Sequence, residues 1–173
     1  SIDATLKRLK TDYVDIYIIY RYDPSTPAEE IMTTLADIVR AGKARYIGAS
    51  TMRAYQFVRL HLFAKTHGLP HFIVMPSLYH LLYREDERDI IPFCREEGIG
   101  LTPYSPLARG VLSGTRNPDG SSGTDRGRTD KKRAADQLSP EAPAIIESTV
   151  KIAKKYGVTP GRVALAWLLH KPE

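Results

Sequence analysis

Four short clusters hold the side chains best placed for chemistry. They are Tyr20-Arg21-Tyr22-Asp23, Ser50-Thr51, Pro76-Ser77-Leu78-Tyr79 and Tyr104-Ser105-Pro106-Leu107. Each follows an apolar run, and together they are rich in Tyr and Ser. Glycosidase chemistry needs two facing carboxyls, and only Asp23 is available. A metal centre needs clustered His, Cys or acidic ligands. His61, His67, His71, His80 and His170 are instead scattered over helices and loops. Cys94 falls in a helical stretch without a fixed base partner, which argues against a nucleophile. Tyrosine rings and hydroxyls are better suited to stacking on a nicotinamide ring and bonding a carboxamide or pyrophosphate.

The elements that position these clusters alternate. Val14–Tyr20, Tyr46–Ala49, Phe72–Met75 and Ile99–Pro103 read as strands. Thr26 caps a helix with Pro27 at its first position, Glu29 and Glu30 in its first turn and Gly42 at its end. Ile31, Leu35, Ile38 and Val39 recur along it at helical spacing. Further helices run from about Arg53 to His67 and over Ile90–Glu96, each followed by a glycine. Ser139-Pro140 and Thr159-Pro160 start two closing helices. Between them and the fourth strand lies a long irregular segment. Strands recurring about every 28 residues, each followed by a helix, imply βαβ units and a parallel sheet buried on both faces. A doubly wound sheet would need a glycine fingerprint after a strand, and none is present. The pattern favours an α/β (β/α)8 barrel, of which four strands form only a part.

The chain has 173 residues and 42% hydrophobic content, enough for one domain or part of a larger one. Cys94 is its single cysteine, so no internal disulfide forms, as expected in a reducing compartment. The amphipathic start SIDATLKRLK is unlike a signal peptide, and no apolar run reaches membrane-span length. A cytoplasmic protein is expected. The net charge is +5, but Arg126, Arg128, Lys131, Lys132 and Arg133 are interrupted by Asp130 and sit among Gly, Ser and Asp. They form either a solvated loop or one that helps hold an anionic cofactor. Nucleic-acid binding would instead want one ordered basic face with aromatics.

Several long segments resemble the aldo-keto reductases, near the aryl-alcohol dehydrogenases and potassium-channel β-subunits. They are RLKTDYVDIYIIYRYDPSTPAEE (Arg8–Glu30), GKARYIGAS (Gly42–Ser50), LYHLLYREDERDIIPFCREEGIGLTPYSPLARGVLSG (Leu78–Gly114) and VTPGRVALAWLLHKP (Val158–Pro172). The resemblance implies a barrel fold, NADP(H), and hydride transfer between the nicotinamide and a small carbonyl or alcohol. It implies that Ser50 bonds the carboxamide, with Thr51 where the family often has Asn. It implies that Tyr104 stacks under the nicotinamide, core packing being the alternative. Ser105, Pro106, Leu107, Ala108 and Arg109 would wrap the pyrophosphate, though Arg109 also reads as a surface charge.

Two departures from the family pattern stand out. Tyr20 occupies the position of a catalytic histidine, and a phenol is a poor proton shuttle near neutral pH. Pro76-Ser77 replaces Gln-Asn, removing a side-chain partner for the carboxamide. By the resemblance, the Asp, Tyr and Lys of the reaction belong to units before residue 1. Residues 1–173 are therefore expected to be a single partial barrel domain, inactive alone, with a long loop over 115–138 that is mobile without cofactor. A non-catalytic relative with a nucleotide-binding, regulatory or interaction role is the alternative. Unpaired strand edges and an exposed inner face lead to an expectation of self-association.

Overall fold

A computed structural model describes residues 1–119, 121–125, 129 and 138–171. These fall into two compact units, residues 1–77 with 89–102 and residues 78–88 with 103–173.

The first unit opens with helix α1 (Ile2–Leu9) and continues through β1 (Val14–Ile19), α2 (Ala28–Arg40), β2 (Ala44–Ala49), α3 (Ala54–Thr66), β3 (Phe72–Met75), α4 (Ile90–Glu97) and β4 (Gly100–Leu101). The strands form one sheet in the order β1-β2-β3-β4, each adjacent pair parallel. Tyr17 and Ile19 of β1 pack with Ile47 and Ala49 of β2, Met75 of β3 and the apolar faces of α2, α3 and α4. Phe57 and Phe72, both fully buried, stack at the centre with ring centroids 5.3 Å apart. Ile2 and Leu6 of α1 seal a smaller cluster against Ala44. Gly48 is required by close approach, because a Cβ there would lie 2.6 Å from Val74 Cγ1 and 2.9 Å from the Val74 carbonyl oxygen.

The alternation of strand and helix matches the sequence pattern, with two corrections. Thr26 does not cap α2. Its hydroxyl donates instead to Asp23 Oδ2 at 2.8 Å, and Pro27 takes the cap position. The Asp23 carboxylate also collects the Ser25 amide at 2.9 Å and the Ser25 hydroxyl at 2.6 Å, tying Thr26 into the turn before the helix. The expectation of strands buried on both faces holds best for β3 and fails for β1, where Ile16 and Ile18 are each 40% exposed.

The second unit contains α5 (Ala142–Tyr156) and α6 (Pro160–Leu169). Thr159 caps α6, its Oγ1 accepting from the Arg162 amide, and Gly157 ends α5 in the left-handed region at φ 65°. Leu82, Ala108, Val111, Leu112, Ala142 and Ala164 form its core. Of the expected 115–138 loop, the basic cluster Arg126, Arg128, Lys131, Lys132 and Arg133 lies outside the described residues.

Candidate functional site

In the first unit the ends of β2 and β3 meet through side chain and backbone. The Ser50 amide donates to the Ile19 carbonyl at 2.9 Å, which fixes Ser50 at the end of β2. Its hydroxyl, on a residue only 4% exposed, donates to the Pro76 carbonyl at 3.0 Å and lies 3.1 Å from Thr51 Oγ1. Pro76 therefore contributes an acceptor through its backbone, a role that its side chain conceals in the sequence. With its proton committed, Ser50 has lone pairs left with which to accept from a ligand amide. Thr51 holds a left-handed φ of 51°, a conformation that costs a non-glycine residue about 1–3 kcal/mol and tends to persist where function needs it. Ser77 is buried, and among the described residues its hydroxyl has no hydrogen-bond partner.

Tyr20 stands at the end of β1 and is largely exposed, with the Arg21 guanidinium 5.4 Å from its ring centroid. Asp23 is a turn organiser: hydrogen bonds from Ser25 and Thr26 hold its carboxyl below the usual range. Its acceptor capacity is spent on its own turn.

The remaining candidates, Tyr104 to Arg109, lie in the second unit. Tyr104 pairs with Leu78 in an isolated parallel bridge, and the residue is 38% exposed. The next residues bend sharply: Ser105, Ala108 and Arg109 take φ values of 55°, 47° and 54°, and Gly110 takes 106°. Leu107 at φ −101°, ψ 19° precedes the left-handed Ala108. A right-handed residue followed by a left-handed one turns successive amides to one side, but here the Ala108 amide donates to the Ser105 carbonyl at 2.8 Å and the Gly110 amide to the Leu107 carbonyl at 3.0 Å, so both are spent within the turn. Gly110 cannot carry a side chain here, since its Cβ would meet Thr115 Oγ1 at 2.6 Å.

Sequence reasoning missed two charged clusters. In the second unit, Glu87 accepts from the Tyr79 hydroxyl at 2.5 Å, from Arg84 through Nε and a terminal nitrogen, and from Lys171 Nζ at 3.2 Å. These partners, Arg84 first, pull the Glu87 carboxyl down to about 2. Arg84 and Glu87 stand three residues apart, which the sequence could have signalled; Lys171 gives no such clue. In the first unit, Glu97 binds Lys65 Nζ at 2.6 Å and His61 Nε2 at 3.3 Å. His61 is fully buried, and burial pushes its pKa down. Cys94 is buried in α4. Among the described residues no group of three His, Cys, Asp or Glu is placed to hold a metal, and no helix is long and apolar enough to cross a membrane.

The family model for aldo/keto reductases matches residues 1–173. The chain belongs to the aldo/keto reductase family. Members of this family fold as (β/α)8 barrels, and the four parallel strands here form part of that architecture. A Schizosaccharomyces pombe protein provisionally named an aryl-alcohol dehydrogenase is 47% identical over 171 residues, which is 99% of this chain and 48% of that protein. A versiconal hemiacetal acetate reductase of Aspergillus parasiticus is 42% identical over 177 residues, 99% of this chain and 50% of its own length. An aldo-keto reductase of Metarhizium robertsii is 40% identical over 169 residues, covering 97% and 45%. The chain spans about half the length of the curated relatives it matches.

Proposed function

We propose that this chain supplies the nicotinamide and pyrophosphate side of an NADP(H)-dependent oxidoreductase acting on small carbonyl compounds or alcohols. Bound NADP(H) would supply the hydride. Ser50, its proton held by Pro76, accepts from the carboxamide, and Thr51 adds a second hydroxyl. Tyr104 offers its exposed face to the nicotinamide ring. Residues Ser105 to Arg109 wrap the pyrophosphate along their left-handed run, as the family resemblance implies. The observation that carries this reading is the half-exposed Tyr104 followed directly by the strained Ser105–Gly110 turn. Tyr20 occupies the position that orients the substrate carbonyl, and no residue of this chain takes the proton-donor role. Turnover by residues 1–173 alone is not expected on this reading.

The test is NADPH fluorescence titration of the chain, with aldehyde-dependent NADPH oxidation measured in parallel. Saturable binding without turnover is expected. Turnover at family rates would sink the claim of inactivity. Absence of binding would move the weight to the second reading, a non-catalytic relative with a regulatory or interaction role. That reading draws its support from Tyr20, an exposed phenol next to Arg21, which lacks the proton-shuttling capacity of an imidazole.

A further inference from the structure

Within the second unit, a chain of contacts runs from Tyr104 back to itself. Leu78 pairs with Tyr104 in the parallel bridge. Next to Leu78, Tyr79 is 3% exposed and its hydroxyl donates to Glu87. Between Tyr79 and Glu87 the backbone closes a tight turn: the Tyr83 amide donates to the His80 carbonyl at 2.9 Å, and the His80 amide donates to the Tyr83 carbonyl at 3.2 Å.

Glu87 in turn is held by Arg84 and Lys171. Both cations approach the Trp167 ring of α6, Lys171 Nζ at 4.4 Å and the Arg84 guanidinium at 5.4 Å from its centroid. The Tyr79 ring packs on the same indole at 5.3 Å. At the other end of α6, a Cβ on Gly161 would lie 3.6 Å from Leu107 Cδ2 and 3.5 Å from Ser113 Cβ. The helix that carries Trp167, against which Tyr79 and both cations pack, therefore also touches the loop that begins at Tyr104.

We infer that Glu87 is a positioning residue for Tyr104, closing a circuit through Tyr79, Trp167 and α6 that fixes the stacking ring and the turn after it. The inference rests on the reading of Tyr104 as the nicotinamide-stacking residue. Glu87 touches neither cofactor nor substrate in this reading. It faces a buried hydroxyl and two cations at once. Without it, the Tyr79 hydroxyl loses its acceptor, and Arg84 and Lys171 are left as like charges around one ring.

Hydrogen exchange and NADPH titration on Glu87→Ala, Glu87→Gln and Tyr79→Phe test this. In Glu87→Ala the amides of residues 104–110 are expected to exchange about tenfold faster, while those of α5 keep their wild-type rates. The NADPH dissociation constant is expected to rise about five- to tenfold. Glu87→Gln retains an acceptor for Tyr79 and should fall between wild type and alanine. A uniform rise in exchange across the whole unit, or unchanged exchange at 104–110, overturns the inference in favour of a merely structural ion cluster. Should Glu87→Ala fail to fold, Tyr79→Phe removes one hydrogen bond and no charge; a smaller rise confined to 104–110 is then required. If the wild-type chain binds no NADPH, the stacking role of Tyr104 falls, while the exchange pattern still decides whether Glu87 holds that segment.

Discussion

The two units solve the same problem, holding a polar loop end in place, by different means. In the first, Ser50 and Pro76 end strands whose positions are set by backbone pairing and an apolar core. In the second, Tyr104 has a single bridge to Leu78, and its surroundings depend on side chains converging on Glu87 and Trp167. Sheet pairing distributes the load over many backbone bonds. A charged hub concentrates it on one carboxylate. The first arrangement should be sensitive to lost volume and the second to lost charge or changed protonation.

The sharpest way to break the first unit is to hollow its core. Phe57 is fully buried, stacked on Phe72 and edge-on to Phe93 at 6.0 Å. Phe57→Ala is expected to destabilise the chain by about 3–5 kcal/mol, through lost transfer energy and a residual cavity. Urea unfolding followed by hydrogen exchange should show protection lost first over residues 1–77. Equal loss over residues 103–169 would erase the distinction between the units.

Acid should act on a buried histidine in each unit, and most on the second. His80 is 2% exposed, and its Nδ1 accepts from the Leu82 amide at 3.2 Å. Protonation would place a hydrogen on that nitrogen and break the bond. Burial pushes its pKa down to about 4 from an unfolded value near 6.5. The unfolded chain thus binds a proton that the folded chain refuses. Above pH 6.5 His80 costs nothing, and stability is lost as pH falls from 6.5 towards 4. At about 1.4 kcal/mol per pKa unit the full loss is roughly 3 kcal/mol. His61 is depressed in the same direction in the first unit and adds to the slope. Glu87 does not contribute until the pH drops below its unfolded value of 4.5. His80→Asn keeps an acceptor for Leu82, and its stability measured between pH 7 and 4.5 should fall less steeply than wild type. An unchanged slope would place the acid sensitivity elsewhere.

The same contrast explains what the sequence disclosed. The strand–helix alternation was legible because hydrophobic period, N-terminal prolines and C-terminal glycines are local signals; Gly98 and Gly157 do end α4 and α5 with φ 68° and 65°. Family segments marked Ser50 and Tyr104 as candidates. The Pro76 carbonyl as the acceptor of the Ser50 hydroxyl was not legible, because every residue offers the same backbone group and only register selects one. Nor was the Glu87 hub, since Lys171 lies 84 residues away. Thr26 has the sequence neighbours of a cap, but its hydroxyl donates to Asp23 three residues earlier and Pro27 takes the cap position, a one-residue shift that the sequence pattern does not resolve.

The smallest expected effect tests the link between the strand ends and the cofactor. Ser50→Ala removes the hydroxyl that donates to the Pro76 carbonyl, leaving that acceptor without this donor. A net hydrogen bond of this kind is worth about 1 kcal/mol, so a modest loss of stability is expected. The informative quantity is the difference between Ser50→Ala and Thr51→Ala in NADPH affinity. Ser50 has its proton committed to the Pro76 carbonyl, so Thr51 must donate in the 3.1 Å contact between the two hydroxyls and can reach a ligand carbonyl only by releasing Ser50. If both hydroxyls meet the carboxamide, each variant weakens binding by about three- to tenfold, and the double variant departs from the product of the two because the hydroxyls also contact each other. Loss in Thr51→Ala alone would make Ser50 a strut between β2 and β3 rather than a ligand contact.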